Sequence, residues 1–206
     1  KFELGDSSVY DYTVSKLADG NVWMTQDLRF TGTELTPADT NVTSNVTMSY
    51  IDFGGGNNYD QAQLRVNSDP TKGVWYNYVA ATAGTISGSS NTTDATQDIC
   101  PKGWRMPTYD EQANLVSLIG SSPAAYGPIV AGVVYGDGDV HGYSDWWSST
   151  TSSTTNRYTL VYYQNNSLKT FSSDGRFYGM YIRCIKDTSV NMQNIAYKTL
   201  NSLVPS

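Results

Sequence analysis

Trp146-Trp147-Ser148-Ser149, Tyr158-Thr159-Leu160-Val161-Tyr162-Tyr163, Ser167-Leu168-Lys169-Thr170-Phe171 and Tyr178-Gly179-Met180-Tyr181-Ile182-Arg183-Cys184-Ile185 follow one another within residues 146–185. Each run is short and rich in aromatic and β-branched residues. Asn165-Asn166 and Asp174-Gly175 stand between runs as turn signals. The spacing predicts strands joined into an antiparallel β-meander. Just upstream, Thr108-Tyr109-Asp110-Glu111 forms a capping box after Pro107, and Leu115, Leu118 and Ile119 recur at helical spacing until Gly120. This is the one clear helix the sequence predicts.

Working outward, residues 31–98 are polar and Gly-rich, with loops at Gly54-Gly55-Gly56-Asn57-Asn58 and Ser87-Gly88-Ser89-Ser90-Asn91. They surround the aromatic segment Val74-Trp75-Tyr76-Asn77-Tyr78, which reads as an anchor for long loops. Residues 9–30 read as a β-hairpin: Val9-Tyr10-Asp11-Tyr12-Thr13-Val14 alternates with period two, and Asn21-Val22-Trp23-Met24-Thr25 follows the turn signal Asp19-Gly20. Beyond Asp187, Met192, Ile195, Ala196, Leu200 and Leu203 share one helical face. Residues 1–188 are therefore expected to form one domain, with an amphipathic tail at 189–206. The fold class expected is α+β: a meander, one helix and long loops.

The 206 residues carry a net charge of −6, are 39% hydrophobic and only 16% charged, and include 16 tyrosines. This composition suits a loop-rich β or α+β domain and excludes nucleic acid as a partner, because the clustered Lys and Arg needed to meet phosphates are missing. No apolar run is long enough to span a bilayer, so no membrane insertion of this segment is expected. The opening Lys1-Phe2-Glu3 carries no leader signature, and the native chain is expected to start upstream. The two cysteines, Cys100 and Cys184, fit an oxidising compartment as a bridge. Paired, they close a loop whose chain-entropy worth is roughly 4 to 5 kcal/mol; two buried free thiols are the other reading.

Four blocks carry a resemblance: residues 19–28 (Asp-Gly-Asn-Val-Trp-Met-Thr-Gln-Asp-Leu), residues 99–108 (Ile-Cys-Pro-Lys-Gly-Trp-Arg-Met-Pro-Thr), Trp147-Ser148-Ser149-Thr150, and Ile182-Arg183-Cys184-Ile185-Lys186-Asp187. In this order the chain resembles the Fibrobacter succinogenes major paralogous domain family. The resemblance implies a C-type-lectin-like α+β fold on secreted or surface-anchored prokaryotic proteins. Similar folds serve as variable proteins of diversity-generating retroelements. It implies no catalytic activity and no cofactor. It also brings Cys100 and Cys184 together as a disulfide. Trp23, Trp104 and Trp147 are expected in the core, where such rings bury 150 to 250 Å² each.

Chemistry was sought residue by residue. The broad fold also includes formylglycine-generating oxidases, but both cysteines lie in structural blocks, and the lone His141 sits in a Gly/Asp loop. Gly136-Asp137-Gly138-Asp139 offers hard oxygens of the kind Ca²⁺ takes, yet lacks the EF-hand pattern and reads as a turn. Asp110 and Glu111 are explained by the helix N-terminus rather than as paired acids. Most residues from 142 to 183 are Tyr, Ser, Thr, Asn, Asp or Gly, the alphabet of adaptable binding surfaces. The ligand-binding residues expected are Tyr143, Asp145, Asn156, Tyr158, Tyr162, Asn165, Asp174, Arg176 and Tyr178, facing a protein or other macromolecular surface ligand. The function expected is non-enzymatic ligand binding at the cell surface or outside the cell. The alternative is a structural or adhesive module without a specific pocket; an oxidase comes third.

Overall fold

The structure is a computed structural model that describes residues 2–4, 8–38, 40–51, 53, 56–69, 71–120, 123–129, 132–163 and 167–188. The amphipathic pattern expected at 189–206 and the Asn165-Asn166 turn lie outside the described residues.

The elements that position the site are β1 (Val14–Lys16), β2 (Val22–Met24), β3 (Ser49–Tyr50), β4 (Gln63–Val66), β5 (Val74–Tyr76), α1 (Tyr78–Ala81), β6 (Trp104–Arg105), α2 (Tyr109–Ile119), β7 (Ser144–Thr151), β8 (Asn156–Tyr163), β9 (Ser167–Gly175) and β10 (Ile185–Lys186). Strand dominates, and α2, with 11 residues, is the one long helix among the described residues. The arrangement is α+β. No described helix is long and apolar enough to cross a membrane.

Three sheets matter. One has the order β6-β10-β2-β1, with Trp104 opposite Lys186, Ile185 opposite Trp23, and Trp23 opposite Ser15. A second is the antiparallel meander β7-β8-β9, and the third is β3-β4-β5, in which β3 runs parallel to β4. The four-stranded sheet joins chain segments remote in sequence, and the Cys100–Cys184 disulfide ties the turn before β6 to the residue before β10. Trp23, Trp104 and Trp147 are buried as expected, in two adjoining apolar clusters.

Helix α2 begins where the sequence places it. Thr108 Oγ1 accepts from Glu111 N at 3.2 Å, and Glu111 Oε2 accepts from Thr108 N at 2.8 Å. Arg105 adds a two-pronged pair to the same carboxylate, at 2.8 and 2.5 Å. Burial pushes the Glu111 carboxyl up, but these bonds from Arg105 and Thr108 outweigh it and hold it below its ordinary value. The helix packs on the meander through Leu115 and through Gln112, whose Nε2 donates to Trp147 O at 3.2 Å. Leu118, expected on the buried stripe, is 54% exposed.

Three expectations are corrected. The hairpin is narrower than residues 9–30: β1 and β2 form it, while Ser8–Tyr10 pairs with Phe2–Leu4 in a separate ribbon. The 9–14 alternation is thus split between two units. Asp174-Gly175 is not a turn but the end of β9; the chain reverses just after, where Tyr178 N donates to Gly175 O at 3.0 Å. Residues 178–185 do not form a fourth meander strand. They leave the meander and thread between sheets by single bridges, Met180 to Tyr76, Gly179 to Val134 and Tyr181 to Trp146, before joining the first sheet as β10.

Candidate functional site

Strand alternation decides what each meander residue can face. Asp145 lies opposite Val161, and Trp146 opposite Leu160. Leu160 and Trp146 belong to the apolar cluster that includes Leu115 of α2, and Tyr162 packs against it. Tyr158 stacks on Tyr109 of α2, with ring centroids 4.2 Å apart. Tyr158 and Tyr162 therefore stand on the helix side of the sheet. Asp145, Thr159, Val161 and Tyr163 take the opposite face.

On that face a cavity of about 220 Å³ opens among Tyr135, Tyr143, Asp145, Val161, Tyr163 and Asp174. The Tyr143 and Tyr163 rings meet edge to face at 5.9 Å, and Tyr135 packs on Tyr178 at 4.6 Å and on His141 at 4.4 Å. Asp145 and Asp174 form the acidic floor. Asp174 Oδ2 accepts from Thr159 Oγ1 at 2.5 Å, whereas Asp145 Oδ1 is buried without a hydrogen-bond partner. Burial, with the neighbouring Asp174 charge, pushes the Asp145 carboxyl well above its ordinary value. Burial also raises Asp174, against the lowering pull of Thr159. Burial raises the hydroxyls of Tyr135 and Tyr163 too, and both acids add to it.

The residues expected to bind are thus divided by the fold. Tyr143, Asp145 and Asp174 line the cavity, and Tyr178 flanks it through Tyr135. Tyr158 and Tyr162 belong to the other face. Asn156 opens β8, its N donating to Ser153 Oγ at 3.1 Å. Asn165 lies outside the described residues. Arg176, Asp174 and Asp145 are buried rather than displayed, at 0%, 6% and 1% exposure. Arg176 is a strut: its Nη2 donates to Gly88 O, and its guanidinium lies 5.2 Å from the Tyr59 ring centre. Arg157, equally buried, donates to Ser153 O, Asn156 O and Asn91 O and covers the Tyr78 ring at 4.7 Å. These two arginines hold the 88–91 loop to the meander. Tyr135 and Tyr163 went unnoticed in the sequence; the signal for Tyr163 was its parity with Val161, two residues earlier.

Two other concavities differ in chemistry. A groove of about 540 Å³ runs along Tyr50, Leu64, Val66, Trp75 and Val140 on one hand and Arg65, Asn67 and Ser68 on the other, mixing apolar and polar groups. A recess of about 340 Å³ lies beside Asp98, Arg105 and Asp187. Asp98 is committed to the backbone there, accepting from Cys100 N and Met106 N at 2.8 Å each. The Asp137 loop is a turn, with Asp139 N donating to Asp137 Oδ1 at 2.9 Å. Among the described residues no group of three or more His, Cys, Asp or Glu side chains is placed to hold a metal ion. Compared with family models, curated proteins and solved structures, the chain matches none of them.

Proposed function

We propose that this chain is a non-enzymatic, extracytoplasmic ligand-binding domain of C-type-lectin-like organisation, and that the tyrosine-lined cavity is its ligand site. The observation that carries the reading is the buried, unpartnered Asp145 Oδ1, on a residue that lines a cavity walled by tyrosine rings. Buried acceptors are ordinarily bonded, so one left open at a concave surface points to a ligand donor. The lectin-like organisation is supported by how the four resembling blocks meet. Trp23, Trp104 and Ile185 share one sheet, and Ser149 N donates to Pro107 O at 2.8 Å. The disulfide supports an oxidising location, at the cell surface or beyond it. With both cysteines bound to each other, the oxidase reading loses its thiol pair.

The variable-protein reading narrows on this fold. Arg157, Thr159 and Arg176 are bonded inside, so side chains there cannot be exchanged freely, whereas Tyr143, Tyr163 and Tyr178 on the rim can. The test compares the wild-type chain with the combined Tyr143→Ala, Tyr163→Ala and Tyr178→Ala variant on glycan and surface-protein arrays, with thermal unfolding alongside. A saturable signal should vanish in a variant that still unfolds cooperatively. A signal indifferent to these changes, or none at all, would favour the adhesive module instead.

A further inference from the structure

Resting on the binding role just proposed, we infer that the cavity takes a primary alkylammonium group, seated on Asp145 and Asp174 between the rings of Tyr143, Tyr163 and Tyr135. The shared chemistry is an –NH₃⁺ on an aliphatic stem, whether a lysine side chain or a free amine.

Charge comes first. Two carboxyl groups share the floor, and among the described residues no ion pair reaches either of them. The nearest strong cations are engaged elsewhere: Arg157 and Arg176 donate to backbone carbonyls and lie over Tyr78 and Tyr59. Lys169 is exposed, with its Nζ 5.9 Å from the Tyr163 ring centre, on the rim rather than the floor. That contact sets an ammonium of the chain's own beside the Tyr163 ring. Burial without a matching charge favours the neutral form of Asp145, and an entering cation would favour the ionised one.

Shape and hydrogen bonding narrow the cation. About 220 Å³ lies below the roughly 300 to 1,000 Å³ of sites for drug-sized ligands, so a head group and a short stem fit. Tyrosine faces attract cations of every kind. The open Asp145 Oδ1 is an acceptor, and it is satisfied by N–H, which a quaternary ammonium lacks. Anions would meet two acids and several phenols. A cation also favours the ionised floor, so its affinity should rise with pH as the acids ionise. Tyr135, Tyr143, Tyr163, Tyr178, Asp137, His141 and Lys169 are the other titratable groups around the site.

The experiment is an NMR titration of the whole chain with n-butylammonium chloride, against n-butanol as the neutral isostere and tetramethylammonium as the quaternary control. Saturable shifts should centre on Tyr143, Asp145 and Tyr163, with affinity about ten-fold above the neutral control, the worth of a desolvated cation–π contact, and about ten-fold above tetramethylammonium, the worth of the N–H bond to Asp145. A lysine-containing peptide binding more tightly than n-butylammonium, and losing affinity on Nε-acetylation, would identify a polypeptide source; equal affinities would identify a free amine. Asp145→Asn should abolish the response. Asp174→Asn should weaken it, and serves where the first variant fails to fold. Equal binding of n-butanol, or no saturation by any amine, overturns the inference. If the array signal is still lost in the rim variant, the binding role stands and only the ammonium is wrong. If both are silent, both fall.

Discussion

Asp27 and Asp145 are two buried acids of one chain, which treats them in opposite ways. Asp27 is met from within: its Oδ1 accepts from Arg183 Nε at 2.6 Å and from Trp146 Nε1 at 2.7 Å. The Arg183 guanidinium lies 4.6 Å from the Tyr126 ring centre and 5.0 Å from that of Trp146, and it also donates to Tyr126 O and Pro128 O. Backbone crowds in as well. At Gly73, with φ +80°, a Cβ would stand 2.7 Å from Asp27 Cβ, so only glycine fits without displacement. Although Asp27 Oδ2 has no hydrogen-bond partner, its charge is matched by Arg183. Asp145 has no such match. The difference separates a framework, in which an ionic group is locked by a cation, two rings and a glycine, from a face in which the acid meets no cation among the described residues.

The sharpest way to break this comparison is to remove what holds the framework. Replacing Cys100 and Cys184 together by Ala should cost roughly 4 to 5 kcal/mol, read as a lowered denaturant midpoint. Intact mass before and after reduction should differ by two hydrogens. A loss under about 1 kcal/mol would mean that β6 and β10 hold each other without the bridge. Next, Asp27→Ala strands the Arg183 charge in the interior and should cost about 3 to 5 kcal/mol in chemical unfolding. A cost near zero would show that Arg183 finds its balance elsewhere, and the two acids would no longer be opposites.

What the sequence made legible follows range. Thr108 and Glu111 sit three residues apart, and Asp19-Gly20 makes its own turn, so local chemistry was enough. The bridge was readable from two cysteines with no competitor and from the resembling blocks, whereas the meeting of Trp104 with Lys186 was not read at all, because nothing local brings distant strands together. The cavity was only half legible, for a reason rooted in strand geometry. A one-residue slip sends every side chain to the other face, and the meander slips twice, between Trp147 and Thr151 and between Arg157 and Thr159. Within β8 alternation holds from Tyr158 to Tyr162, but both face α2, and nothing in the pattern says which side the helix covers, so Tyr163 on the cavity side was passed over. The 178–185 run misled for another reason. Its apolar residues suit any buried extended chain, and what it pairs with is settled by sheets contributed from elsewhere.

A smaller effect tests the framework where it is purely local. Thr108→Ala removes the acceptor for Glu111 N and should cost about 1 kcal/mol, within a range of 0.5 to 2. Because Arg105 still holds Glu111, the loss should stay near the lower half of that range, and Arg105→Ala combined with it should cost more than the two changes separately predict. An unchanged midpoint for Thr108→Ala would show that the Arg105 pair alone fixes the helix start.

The smallest expected effect is the one that bears most directly on the contrast between the two acids. Asp145→Asn keeps the shape of the side chain and removes its charge. An acid whose folded pKa lies above its unfolded value binds more protons when folded, so the stability it contributes is present at low pH and lost as pH rises through the folded value. Asp145 and Asp174 are both raised by burial, and burial pushes Asp98 up to about 6 against its bonds from Met106 and Cys100. The wild-type chain should therefore lose stability between pH 5 and about 7.5. With Asn at 145 that slope should flatten while Asp98 and Asp174 keep a remainder of it. At pH 7.5 the variant should equal or exceed the wild type by up to about 1 kcal/mol, since a buried charge without a partner is replaced by a neutral amide. At pH 5 the two should converge. The measurement is urea unfolding of both chains at the two pH values. Destabilisation by more than about 2 kcal/mol at both would mean that the Asp145 carboxylate has an internal partner as Asp27 does, and the cavity would then belong to the framework.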